Sequence, residues 1–236
     1  MESNDLKKIY KRISLTADIM YNNGWAEAYA GNISFRTGRY EKKPSRPYIK
    51  LDRVYASLAS QEIIITSSGS RMREIAAHKH DDLISVIYLD NEGKGYYLKG
   101  SAPSSEIPVH LGLQNMFINT GSKFRAVIHC HPDNMISVLH NKNINSEKVL
   151  YNELSKMHSE IALLIPEGIG VTKDLCPGSR ELSIAVLNSM KNKNITLIPR
   201  HGCFASGIDL SDALDRIEAV EKACSILIKS NYSINH

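Results

Sequence analysis

The chain has 236 residues, 42% of them apolar and 23% charged. That is enough to bury a core without metal or disulfide staples, and it excludes wholesale disorder, fibrous repeats and a membrane-spanning run. The net charge of +4 is too small to argue for nucleic acid, although it suits an anionic metabolite.

In chain order, the charged start from Met1 to Lys8 does not read as a signal peptide. An amphipathic helix follows, with Leu6, Ile9, Tyr10, Ile13, Ala17 and Met20 on one face, Asn4 or Asp5 as its cap, and a stop at Asn22-Asn23-Gly24. Asn32 to Arg36 reads as a strand, and the segment around Lys42 to Arg46 as a basic loop. Strands are predicted at Glu62–Thr66, Leu83–Asp90 and Tyr96–Leu98, the last two joined by Asp90-Asn91-Glu92-Gly93.

Ser105 to Phe117 is helical in pattern. Ala126 to His131 is a short apolar strand, ended by Pro132-Asp133 where the next helix opens, with Asp133 as its cap. Ile161–Ile165 and Ile195–Pro199 read as buried strands on either side of a helix from Ser179 to Met190. A last helix runs from Ser211 to about Lys229. With no repeat, low-complexity tract or linker in view, residues 1–236 read as one α/β domain. Cys130, Cys176, Cys203 and Cys224 include no CxxC pair and read as reduced thiols of a cytoplasmic protein.

Three of the nine histidines stand out. His129 and His131 lie two apart on a strand, so both imidazoles leave one face while Cys130 points the opposite way, into the core. The pair sits at a strand terminus, where α/β folds place their sites, and two neutral imidazoles there suit zinc or a similar divalent ion. His201, just past the strand at Ile195–Pro199 and before Gly202, is the best third ligand. The competing interpretation is a pair of half-buried histidines satisfied by carbonyls. His78 and His80 lie in a charged stretch that reads as a solvated loop. His110, His140, His158 and His236 have no ligand-like context. An HxHxDH metallohydrolase motif fits His129, His131 and Asp133 but fails at Asn134.

Three small polar segments look suited to an oxyanion: Gly31-Asn32-Ile33-Ser34, Thr66-Ser67-Ser68-Gly69-Ser70 and Pro103-Ser104-Ser105-Glu106. Each alone is a common turn or cap; together, beside a metal pair, they gain weight. On its own Glu106 reads as an acid complementing a helix dipole, with proton transfer as the alternative role.

These residues, in this order, resemble the class II aldolase/adducin family over roughly Leu6 to Lys229. The resemblance implies an α/β domain of three layers, with a central mixed, mostly antiparallel sheet flanked by helices. It implies one zinc ion per subunit on His129, His131 and His201, Glu106 as the catalytic acid/base, and a sugar phosphate held by Asn32, Ser68, Gly69, Ser104 and Ser105. Glu160 matches a second catalytic carboxylate that reaches a neighbouring subunit's site, in a homotetramer with sites at subunit interfaces.

The implied reaction is cleavage of a deoxy-ketose 1-phosphate, L-rhamnulose 1-phosphate or similar, to dihydroxyacetone phosphate and an aldehyde such as L-lactaldehyde. Alternatives within the family are L-fuculose-phosphate aldolase, ribulose-5-phosphate 4-epimerase, methylthioribulose-1-phosphate dehydratase and a non-enzymatic adducin-like module. Tyr29 departs from the rhamnulose pattern, which has asparagine there. The chain is also short beyond its last helix, where Tyr232 is a candidate substitute for the missing tail.

Overall fold

A computed structural model describes residues 3–41, 45–77, 82–144 and 146–234, with the side chains of 3–5 and 231–234 not included. His78, His80 and His236, and the side chains of Asn4, Asp5 and Tyr232, therefore lie outside the described set.

Helix α1 (Ser3–Asn22) buries Ile13, Ala17 and Met20, as its apolar spacing requires. It ends in a Schellman arrangement: the Gly24 N–H donates to the Tyr21 carbonyl and the Trp25 N–H to that of Met20. Strands β1 (Asn32–Arg39), β2 (Tyr48–Lys50) and β3 (Gln61–Thr66) follow, then helix α2 (Met72–Ala76) and strands β4 (Ile84–Leu89) and β5 (Gly95–Lys99). Next come α3 (Ile107–Asn119), β6 (Ala126–Cys130), α4 (Asp133–Val138), α5 (Glu147–Met157) and α6 (Glu160–Leu164). The chain continues through β7 (Gly170–Val171), α7 (Arg180–Ser189), β8 (Ile195–Ile198), β9 (Gly202–Gly207) and α8 (Leu210–Ile234).

The strands form one nine-stranded sheet in the order β2-β5-β4-β3-β1-β6-β9-β8-β7. Every neighbouring pair is antiparallel except β7–β8. Alternation along β6 sorts the layers. Ala126, Ile128 and Cys130 join one core with α1, α4, α5, α6 and α8, while Val127 joins the opposite core with α3 and α7. The expected three-layer α/β architecture is therefore present. Cys130 is buried in the first core against Cys203, sulfur to sulfur 3.7 Å.

Two local expectations change, and β9 is a strand for which none was made. Ile161–Ile165 is helical, not a strand: Ile161 and Ile165 are buried four residues apart while Leu163 is 71% exposed, a helical period that so short an apolar run conceals. Asp133 is not the cap of α4. Pro132 holds that position, and the Glu221 carboxylate of α8 accepts from the Asn134 and Met135 N–H groups instead. Strand β9, Gly-Cys-Phe-Ala-Ser-Gly, has little strand propensity, yet it lies fully buried between β6 and β8. Its small residues let α8 approach, since a Cβ on Gly207 would stand 2.4 Å from the Ala213 nitrogen.

Candidate active site

β6 delivers His129 onto the face shared with α3 and α7, and the chain beyond it delivers His131. His129 lies beside Asn32 of β1 in the sheet register and stacks on Phe204 of β9, ring centres 4.4 Å apart. The β8–β9 turn brings in His201. The three ring centres are 4.7 to 5.1 Å from one another, and their ligand atoms all lie within 4.8 Å. Two glycines permit this approach. A Cβ on Gly202 (φ +154°) would sit 2.2 Å from the Cys130 carbonyl oxygen, and one on Gly31 (φ +80°) would meet Met20 at 2.8 Å and the His129 carbonyl at 3.2 Å.

Outer partners fix the tautomers. The His129 Nδ1–H donates to the Cys203 carbonyl (2.8 Å) and the His131 Nδ1–H to the Glu27 carboxylate (3.0 Å). Both Nε2 lone pairs then face inward, 3.2 Å apart. The Glu106 Oε2 atom lies 3.1 Å from His129 Nε2. Acceptors converging at this distance with no proton between them repel, and a cation relieves that repulsion, so the donor set fits a divalent metal. Burial, aided by the neighbouring imidazoles, lowers the pKa of His129 to about 3 and that of His201 to about 4. Both rings are thus neutral, as ligation requires.

Glu106 sits at the N-cap of α3, 4% exposed. Its Oε2 accepts from Asn32 Nδ2 (2.9 Å). Its Oε1 is buried with no hydrogen-bond partner and lies 3.7 Å from His201 Nε2. One carboxylate oxygen is held, and the other is left for chemistry.

The same cleft, about 510 Å³, is walled by Ser67, Ser68, Gly69, Ser104, Ser105, Glu106, Tyr29 and the three histidines. A bridge between Ser67 and Pro103, with the Ser104 N–H donating to the Thr66 carbonyl (3.0 Å), holds the two serine segments side by side. Ser68, Gly69 and Ser105 are exposed while Ser104 is buried. Arg200 reaches the cleft but pairs with Asp174 at 3.2 Å. An anion there meets hydroxyls, backbone N–H groups and the start of α3. Asn32 also lines the cleft, although its side-chain amide is engaged by Glu106 and His110.

Glu160 opens α6 and is not among the residues lining its own chain's cleft. Tyr29 stands at the mouth, its hydroxyl accepting from Arg71 Nη2 (2.7 Å), with that guanidinium 4.3 Å from the ring centre. Sequence reasoning missed Glu27, which orients His131 across 104 positions with no local signal. It also missed His110, whose signal was its place four residues after Glu106, one helical turn along α3.

Comparison with known proteins agrees with this geometry. Residues 11–228 match the family described as the class II aldolase and adducin N-terminal domain. A rhamnulose-1-phosphate aldolase of Mannheimia succiniciproducens is 32% identical over 223 residues, covering 89% of this chain and 81% of the relative. One of Klebsiella pneumoniae is 29% identical, covering 92% and 82%. A solved sugar-phosphate aldolase of Thermotoga maritima superposes with a TM-score of 0.84 at 29% identity, covering 98% of each chain. With its fold, cleft and three converging histidines, this chain belongs to the class II aldolase and adducin family, as a lyase of the aldolase type.

Proposed function

We propose that the protein is a zinc-dependent aldolase that cleaves a deoxy-ketose 1-phosphate, L-rhamnulose 1-phosphate or a close analogue, to dihydroxyacetone phosphate and an aldehyde such as L-lactaldehyde. The observation that carries this reading is the free Oε1 of buried Glu106, beside a three-histidine cluster in a cleft that is also lined with serines. The rhamnulose-1-phosphate aldolases among the relatives support the choice of sugar.

His129, His131 and His201 would hold one zinc ion per subunit, which as a Lewis acid favours negative charge on substrate oxygens. The remaining work falls to the chain's own residues. Ser68, Gly69, Ser104 and Ser105, with Asn32 at the edge, hold the phosphate and fix the sugar's orientation. When the bond between C3 and C4 breaks, the C4 hydroxyl gives its proton to the carboxylate at the aldehyde end, C4 becomes the aldehyde carbonyl, and the electron pair stays with the C3 side. Glu106 then delivers a proton to C3 through Oε1, and in the reverse condensation it removes that proton. Glu160 assists at the aldehyde end of a neighbouring subunit's cleft, in a homotetramer; its position outside its own cleft supports a role in trans. A cytoplasmic setting is consistent with the four free thiols.

A panel of ketose 1-phosphates, with coupled detection of dihydroxyacetone phosphate and with and without chelator, tests the reaction. Chelator-sensitive release of dihydroxyacetone phosphate is expected. An epimerised or dehydrated sugar in its place overturns the aldolase reading. Mixing Glu106→Gln subunits with Glu160→Gln subunits tests the second carboxylate: each variant is impaired alone and the mixture regains activity. Full activity in Glu160→Gln removes that role.

A further inference from the structure

His110 is fully buried on α3, one turn beyond Glu106, and is not among the residues lining the cleft. Its Nδ1 lies 2.7 Å from Ser34 Oγ and its Nε2 2.5 Å from Asn32 Oδ1. Phe204 packs edge-on against the ring, centres 5.8 Å apart. The other end of the Asn32 amide meets Glu106 Oε2 at 2.9 Å.

The donor sense of this chain is determined by its last member. A carboxylate oxygen takes only donors, so the Asn32 NH₂ faces Glu106 and the Asn32 carbonyl faces His110. The His110 Nε2 must then carry the hydrogen. Desolvation lowers the pKa of this imidazole to about 3, so the ring is neutral and its Nδ1 accepts from the Ser34 hydroxyl. The hydrogen bonds run one way, Ser34 to His110 to Asn32 to Glu106. Once His129 Nε2 is given to a cation it donates to nothing, and Asn32 remains the hydrogen-bond donor to Oε2 among the described residues.

We propose that His110 is a positioning residue. By locking the Asn32 amide in one orientation, it holds Glu106 Oε2 and presents Oε1 to the substrate carbon. Without it the Asn32 side chain loses its second anchor and can turn away from Oε2, which leaves the carboxylate free to swing. The proposal rests on the reading of Glu106 as the proton carrier.

Two variants separate positioning from packing. The amide nitrogen of His110→Gln occupies the place of Nε2 and can still donate to Asn32; that of His110→Asn occupies the place of Nδ1 and cannot. His110→Gln is expected to stay within a few-fold of wild-type kcat. His110→Asn should lose about tenfold to a hundredfold in kcat, with KM and bound zinc unchanged. Equal losses in the two variants, or losses that follow their melting temperatures, overturn the proposal. Independently of activity, long-range ¹H–¹⁵N correlations of the metal-free and metal-loaded protein should show the His110 ring protonated at Nε2 alone. A ring protonated at Nδ1 refutes the chain of donors. Failure of the parent reading appears elsewhere, as undiminished turnover in Glu106→Gln, and leaves the tautomer measurement to stand or fall alone.

Discussion

The histidines and the serines that line the cleft are supported differently. Around the histidines, His129 and His131 come from β6 and its continuation with their outer nitrogens tied to Cys203 and Glu27, and the Glu106 carboxylate is held by the Asn32 amide. Among the serines, Ser68, Gly69 and Ser105 are exposed, and the cleft is lined by hydroxyls and backbone groups of two loops. On the proposed function, the reacting groups are those held by the sheet, where a small displacement costs rate. The proposed phosphate anchor shares its hold among several modest hydrogen bonds, so losing one costs affinity.

The sharpest contrast lies between Glu106 and the serines. Glu106→Gln keeps shape and volume but carries no exchangeable carboxyl proton. A kcat loss of about 10²- to 10⁴-fold is expected, with metal content intact by elemental analysis; wild-type turnover would remove Glu106 from the chemistry. Next in size is Gly202→Ala. Its Cβ has no room beside the Cys130 carbonyl, so the turn carrying His201 must shift. Zinc affinity should fall about tenfold to a hundredfold, as it does when groups supporting metal ligands are disturbed; unchanged affinity in a competitive chelator titration would show the turn to be plastic.

Ser68→Ala is a milder change. KM for the sugar phosphate should rise by about tenfold with kcat nearly constant, and a kcat loss without a KM change would blur the distinction between the two groups. A further effect is on stability. Burial holds His110, His129 and His201 at about 3 to 4, against about 6.5 in an unfolded chain. Below about pH 6.5 the unfolded state therefore binds more protons than the folded one, and stability falls as pH drops toward 4. The melting temperature of chelator-treated protein should decline across that window. A flat profile would mean that these rings protonate without cost.

Much of this was legible along the chain because the signals are local. The 3.6-residue spacing of Leu6 to Met20 marked α1, and strand alternation placed His129 and His131 on one face with Cys130 opposite. Short apolar runs were less decisive, since Ile161–Ile165 suits a strand or a helix until packing against α8 chooses. β9 gave almost no signal because its small residues answer to their neighbours rather than to backbone propensity.

The residue types and their order were enough to indicate the family: imidazoles at a strand end, a late histidine before glycine, hydroxyl-rich turns and an acid at a helix start. Only tertiary structure decided which groups support them. Glu27 on His131, Glu221 on α4, and the Ser34–His110–Asn32 chain behind Glu106 are contacts across tens of residues. Hydrogen bonds of that kind leave no periodicity in a sequence, because their partners meet only after the sheet register and helix packing have closed the distance.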